Sequence, residues 1–274
     1  MIIDSHHHFW KYTPAEYGWI DDSMAAIRRD FGPSDLHREM ASAGVGGVVS
    51  VQARQSIEET RWLLDLAVRH EFILGVVGWV PLTSPHVQGQ LGLLATCPLF
   101  KGVRHVLQGE ADDYMLRPDF NAGIRCLRPL KLAYDILIVE RQLPAAIRLV
   151  DRHPGQVFIL DHIAKPRIRD GILEPWATHM RDLARRPNVY CKLSGMVTEA
   201  DYAAWTPQQL RPYLDIVLEA FTPRRLMFGS DWPVCRVACD YARWVRVVRQ
   251  YVEALSPAEQ QRILLYTAIE AYRL

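Results

Sequence analysis

Two stretches at opposite ends of the chain carry side chains able to do chemistry. Near the start stands Ile2-Ile3-Asp4-Ser5-His6-His7-His8-Phe9-Trp10, and near the end Leu226-Met227-Phe228-Gly229-Ser230-Asp231-Trp232-Pro233. Each is a short apolar run that ends in ligand-type side chains, the pattern of a buried strand with chemistry at its C-terminal tip. Side chains alternate faces along a strand, so His6 and His8 point one way and His7 the other. Two imidazoles on one face, joined by a carboxylate from a distant strand, make either a metal site or an acid/base site. A tag remnant fits poorly, because three histidines are few and an apolar strand precedes them.

The elements that must position these groups read as a repeated strand–helix alternation. After the first strand, residues 11–33 are aromatic, acidic and proline-bearing, a long loop expected to wall a pocket. Further near-continuous apolar runs fall at 46–52, 72–80, 99–106, 132–138, 157–162, 189–195 and 226–231. Helical patterns lie between them. One opens at Pro33-Ser34-Asp35 and stops at Gly44, and another is capped by Ser56. Strands without polar alternation are buried on both faces, which implies a parallel sheet covered by helices. Eight such units in 274 residues fit an α/β fold of the (β/α)8 TIM-barrel type, read as a single domain over residues 1–274.

In a TIM barrel the C-terminal strand ends converge on one mouth. The side chains expected there are His6, His8, Gln52, Trp79, Arg104, His105, Tyr134, Asp135, His162, Lys165, Ser194, Asp231 and Trp232. His6, His8, His162 and Asp231 form a set of divalent-metal ligands or an acid/base cluster. Asp231 is a candidate to take a proton from water. Its competing reading is a turn aspartate before Pro233. Arg104 and Lys165 bring positive charge to the same mouth, where they could polarise a carbonyl or hold an oxyanion. Their competing reading is a salt bridge with Glu110, Asp135 or Asp161. Arg104 and His105 are neighbours on one strand, so only one of them faces the barrel interior.

Composition bounds the partners. The chain is 49% hydrophobic and 23% charged, with 32 basic and 31 acidic residues and a net charge of +1. That balance gives no field favouring nucleic acid or an anionic membrane. No apolar run is long enough to span a bilayer, and no signal-peptide pattern opens the chain. The five cysteines, Cys97, Cys126, Cys191, Cys235 and Cys239, are odd in number and irregularly spaced. They read as five buried thiols of a cytoplasmic protein.

Five stretches, taken in order, carry a resemblance: Asp4-Ser5-His6-His7-His8-Phe9-Trp10, Lys101-Gly102-Val103-Arg104-His105-Val106, Leu160-Asp161-His162-Ile163-Ala164-Lys165-Pro166, Cys191-Lys192-Leu193-Ser194-Gly195-Met196 and Phe228-Gly229-Ser230-Asp231-Trp232-Pro233-Val234-Cys235. Together they resemble the amidohydrolase superfamily and, within it, the L-fuconolactonase- and L-rhamnonolactonase-like sugar-lactonase branch. The resemblance implies a TIM barrel that takes a small-molecule sugar lactone and opens it to the aldonic acid. Many superfamily members hold two ions with a carboxylated lysine on the fourth strand and histidines on the fifth and sixth. Here Lys101 lies at the wrong end of its strand, and the fifth strand offers Tyr134 and Asp135 with no histidine. One divalent ion such as zinc, held by His6, His8, His162 and Asp231, or no ion at all, is what this chain's residues fit.

On this reading Asp231 is the general base, with His162 and Arg104 as further catalytic groups. Trp10, Gln52, Trp79, His105, Tyr134, Lys165 and Trp232 are expected to contact the sugar. The competing functions are a metal-dependent decarboxylase of the same superfamily and a non-catalytic sugar-binding barrel.

Overall fold

A computed structural model describes residues 1–274. Eight strands alternate with helices: β1 (Ile2–His7), β2 (Val45–Val51), β3 (Ile73–Gly78), β4 (Phe100–Val106), β5 (Ala133–Leu137), β6 (Phe158–Leu160), β7 (Val189–Leu193) and β8 (Leu226–Phe228). All neighbouring pairs are parallel, in the order β1-β2-β3-β4-β5-β6-β7-β8. The helices that cover the outside are α1 (Pro33–Ala43), α2 (Ile57–Arg69), α3 (Val87–Leu94), α4 (Pro118–Arg125), α5 (Leu143–Arg152), α6 (Trp176–Leu183), α7 (Pro207–Phe221) and α8 (Tyr241–Val252). The expected (β/α)8 TIM barrel is the observed architecture.

Local chemistry sets the helix ends as the sequence predicts. Gly44 closes α1 in the left-handed conformation, which a glycine adopts without a Cβ penalty. Ser56 accepts from the Glu59 amide at the start of α2. Residues 11–33 hold a short 3-10 helix, Asp22–Ile27, and Phe31 bridges back to Trp10.

Two apolar layers make the core. The outer one lies between strands and helices. The inner one fills the barrel with Ile3, Val49, Val51, Val77, Ala133, Ile159 and Met227. Its floor is closed by α9 (Pro257–Gln261), a π-turn and α10 (Thr267–Tyr272), from which Ala268, Ala271 and Tyr272 join the inner cluster.

The seam between β1 and β8 decides the site. Two backbone bonds close it, Asp231 N–H to His6 O at 2.8 Å and His8 N–H to Trp232 O at 2.7 Å. Asp4, fully buried, clamps the seam from below. Its Oδ1 accepts from the Ser230 amide at 2.7 Å and the His6 amide at 3.1 Å, and its Oδ2 accepts from the Tyr241 hydroxyl at 3.1 Å. Ser5 Oγ donates to Phe228 O at 2.6 Å.

Replacing Asp4 with alanine strands two backbone donors and one hydroxyl without water or partner. Each buried unsatisfied donor costs about 1–3 kcal/mol, so Asp4→Ala should lose about 3–5 kcal/mol of unfolding free energy in a urea titration. A loss under about 1 kcal/mol would show that the clamp does not hold the seam.

Candidate active site

The seam delivers the chemistry to one point. His6 on β1 and His8 just past its end point to the same side, with their Nε2 atoms 3.2 Å apart. Asp231 Oδ1 stands 3.4 Å from His8 Nε2, 3.8 Å from His6 Nε2 and 3.9 Å from His162 Nε2. The rings of His6 and His162 meet edge to face, 4.4 Å between centroids. All four side chains are almost wholly buried. His7 points the other way, as its strand position requires, and takes Ser50 Oγ at 2.8 Å.

Strained backbone sets two of these groups. Asp231 has a φ of 57°. His162, Ile163, Ala164 and Lys165 are four consecutive left-handed residues, with φ of 53°, 48°, 60° and 49°. The left-handed region costs an L-residue about 1–2 kcal/mol, more for a β-branched one such as Ile163. The turn is held by Trp176 Nε1, which donates to Ile163 O at 2.7 Å. The apolar run at 157–162 predicts a strand through residue 162. β6 instead ends at Leu160, and this turn swings His162 and Lys165 into the mouth. Gly195 completes the pocket for the imidazole, because a Cβ there would lie 2.5 Å from the His162 ring. His162 Nδ1 pairs with Ser194 Oγ at 2.9 Å.

Beneath the histidines lies a fully buried ionic layer. Lys192 Nζ is 2.6 Å from Asp135 Oδ2, 2.9 Å from Asp161 Oδ1 and 3.1 Å from His6 Nδ1. Tyr272 OH donates to Asp135 Oδ2 at 2.6 Å. Arg104 donates to Asp161 Oδ2 at 3.0 Å and to both the carbonyl and the side-chain oxygen of Gln52. Its Nη1 is also 3.3 Å from His6 Nε2.

The electrostatics follow from this packing. Burial drives the imidazole of His6 well below its ordinary value, and it pushes His162 down to about 4 against the pull of Asp231 and Asp161. Burial would raise the carboxyls of Asp231 and Asp161. For Asp231, His162, His8 and Lys165 outweigh it; for Asp161, Lys192, His6 and Arg104 do, so both carboxyls are held below the usual range. Asp135, also beside Asp161, is pushed up to about 6 by burial. The site therefore offers neutral imidazoles at His6 and His162 and an ionised Asp231 at neutral pH.

Several residues expected at the mouth lie elsewhere. Arg104 is the inward member of its pair, and its register partner is Asp135. His105 and Tyr134 alternate to the outer face: His105 stacks on Tyr114 and bonds Glu110, and Tyr134 packs between Phe120 and Phe158. Trp10 is buried against Tyr17 and Phe31 with its indole N–H on Arg29 O, and Trp232 is buried against Phe31 and Phe9. None of these four side chains is free to stack on a sugar. Gln52 is spent on Arg104. Trp79 remains half-buried at the rim with its N–H on His105 Nδ1, and Lys165 remains partly open, 3.6 Å from Glu199. Sequence reasoning passes over Lys192 and Tyr272. A lysine inside the apolar run Val189-Tyr190-Cys191-Lys192-Leu193 is the signal that flags the first, since lysine is almost never fully buried unless paired.

The donor set fits one metal ion. His8 Nδ1 lies 2.8 Å from Val51 O, so that nitrogen carries the proton and Nε2 presents its lone pair to the site. Zinc bonds of about 2.0–2.1 Å in tetrahedral array need donor atoms about 3.3 Å apart. The separations of 3.2, 3.4 and 3.8 Å among His6 Nε2, His8 Nε2 and Asp231 Oδ1 are close to this. A second set, His6, Asp161 and His162, is already neutralised by Lys192 and Arg104.

Residues 3–274 match the amidohydrolase family. The chain belongs to it. An L-fucono-1,5-lactonase of Burkholderia multivorans is 40% identical to this amidohydrolase over 286 residues, covering 100% of this chain and 96% of the relative. An L-fucono-1,5-lactonase of Burkholderia ambifaria is 40% identical over 279 residues, covering 99% and 95%. A crystal structure of an amidohydrolase from Burkholderia multivorans with bound zinc matches with a TM-score of 0.95 at 39% identity, covering 100% of this chain and 99% of that one.

Gly195 gives a direct test of how the site is held. Gly195→Ala combines a left-handed φ of 63° with the clash on His162. It should cost about 1–3 kcal/mol in a denaturant titration and shift the His162 ring signals in an NMR spectrum. Unchanged signals would mean that this contact does not position the ring.

Proposed function

We propose that this amidohydrolase opens a sugar lactone, L-fucono-1,5-lactone or a close relative, to its aldonic acid. The observation that carries this reading is the approach of Asp231 Oδ1 to the Nε2 atoms of His6, His8 and His162 inside a barrel that matches known lactonases along its whole length.

A lactone is an ester, so the reaction needs an aimed and deprotonated water, a place for negative charge on the carbonyl oxygen, and a proton for the departing ring oxygen. Asp231, ionised and facing the imidazoles, takes the proton from water as its oxygen bonds to the carbonyl carbon. When the ring C–O bond breaks, Asp231 returns that proton to the ring oxygen. Lys165 meets the charge that builds on the carbonyl oxygen, while Arg104, fixed by Asp161 and Gln52, holds a guanidinium N–H 3.3 Å from His6 Nε2. His162, kept neutral and tied to Ser194, orients water toward Asp231. Trp79 at the rim is the aromatic surface available to the sugar.

His6, His8 and Asp231, with His162 as fourth donor, are the residues that would hold zinc, which when bound supplies Lewis-acid polarisation and lowers the pKa of water. We read the chain as one domain over residues 1–274. No helix is long and apolar enough to cross a membrane. The five free cysteines support the cytoplasm as the site of action.

Asp231→Asn should lower kcat on L-fucono-1,5-lactone by about 10²–10⁴-fold in a pH-indicator assay, with the thermal midpoint little changed. Near-normal turnover would remove Asp231 from the role of base. A carboxyl held below its usual range is ionised above that pKa and protonated as pH falls through it. The kcat/KM profile should therefore hold its plateau down to about pH 5 and fall only below about pH 4. An acid limb centred between about 6 and 7 would assign the base to an imidazole instead.

A further inference from the structure

The cations at and beneath the mouth are each matched by a carboxylate. Arg104 is 3.0 Å from Asp161, and Lys192 is 2.6 Å from Asp135 and 2.9 Å from Asp161. Arg54, just past the end of β2, pairs with Glu16 and lies 3.7 Å from Glu59. Lys165 is 3.6 Å from Glu199, and it also helps to hold the Asp231 carboxyl down. Arg169 has no such partner, but it is exposed, and charge in open water is screened within about 10 Å.

Glu199 is built into its place. It ends the 3-10 turn Val197–Glu199 that follows β7. Thr198 Oγ1 donates to Gly195 O at 2.7 Å and fixes that turn. The Arg169 amide donates to Glu199 O at 2.9 Å, which ties the turn to the segment carrying Lys165. The side chains of Lys165 and Glu199 keep 21% and 26% of their surface open, so a ligand can reach the pair. Burial raises the Glu199 carboxyl, Lys165 opposes the rise, and Asp231 adds to it. The charges that meet a ligand here are therefore one ammonium, Lys165, between two carboxylates, Asp231 and Glu199.

Lactone opening changes the charge of the ligand. The aldonolactone is neutral, and the acid it becomes is ionised at neutral pH. A carboxylate binds tightly where a cation has charge to spare, and like charges brought together disfavour binding. We propose that Glu199 is a specificity-determining residue: by balancing Lys165 it turns away lactones that carry a carboxylate and loosens the hold on the acid that ring opening produces. The substrate half of this rests on the lactonase reading; the hold on the acid can be measured without turnover.

A matched pair of lactones tests it. L-galactono-1,4-lactone is neutral, and L-galactaro-1,4-lactone is the same ring with C6 oxidised to a carboxylate. At equal zinc, the wild type should turn over the neutral lactone in preference to the anionic one. In Glu199→Gln, kcat/KM on the anionic lactone should rise about 10-fold, the effect of removing one charge roughly 6–8 Å away near a protein surface, with no rise on the neutral lactone. Binding of L-galactonate, measured by calorimetry, should tighten by about the same factor. Glu199→Asp, which keeps the charge, should restore the wild-type preference, and Glu199→Ala serves where the glutamine variant does not fold. A merely structural role would weaken both lactones alike and leave Glu199→Asp impaired. A wild type that prefers the anionic lactone, an anionic-lactone rate that does not rise, a rise shared by both lactones, or unchanged galactonate binding would overturn the inference. Absence of turnover on any lactone, with galactonate binding still tightened in Glu199→Gln, would sink the lactonase reading and leave the balance between Glu199 and Lys165 standing.

Discussion

The closure of the barrel between its first and last strands is the constraint on which the site depends. Asp231 N–H to His6 O and His8 N–H to Trp232 O are the two bonds that make the ring continuous. They also fix the register between the histidines and the aspartate. A slip of one residue would turn His6 and His8 outward and His7 inward, because side chains alternate along a strand. The Asp4 clamp makes that slip costly by tying the His6 and Ser230 amides to one carboxylate. Fold stability and site geometry are thus the same set of contacts at this seam.

Charge inside the barrel is the second organising fact. Lys192, Asp135, Asp161 and Arg104 are all buried beneath the mouth. Taking such groups from water is expensive, and replacing a buried pair by packed apolar residues is often neutral or stabilising. A layer of this kind is therefore weak support for the fold and strong support for chemistry. It holds His6 and Arg104 in place through buried charges that compensate one another.

Much of this was legible in the sequence, and the limits have physical causes. The alternation of apolar runs with helix patterns gave the barrel, and strand periodicity gave the common face of His6 and His8. Arg104 and His105 could be split into inner and outer but not assigned, since a bulge between Val76 and Val77 in the β3–β4 pairing resets the register. Trp10, Tyr134 and Trp232 stand where strand ends are expected, yet the long 11–33 segment and α4 cover them, and no local pattern reports such tertiary burial. The left-handed turn at residues 162–165 runs against the intrinsic preference of all four residues. Tertiary contacts from Trp176 and the space left by Gly195 override that preference, and those contacts come from other elements.

The central claim is that strands from the two ends of the chain assemble one ligand set. Anomalous diffraction at the zinc edge from crystals soaked in zinc tests it most directly. The account predicts a single peak bonded to His6 Nε2, His8 Nε2 and Asp231 Oδ1. A peak elsewhere, or an ion that leaves Asp231 uncoordinated and turned away from both histidines, would contradict it.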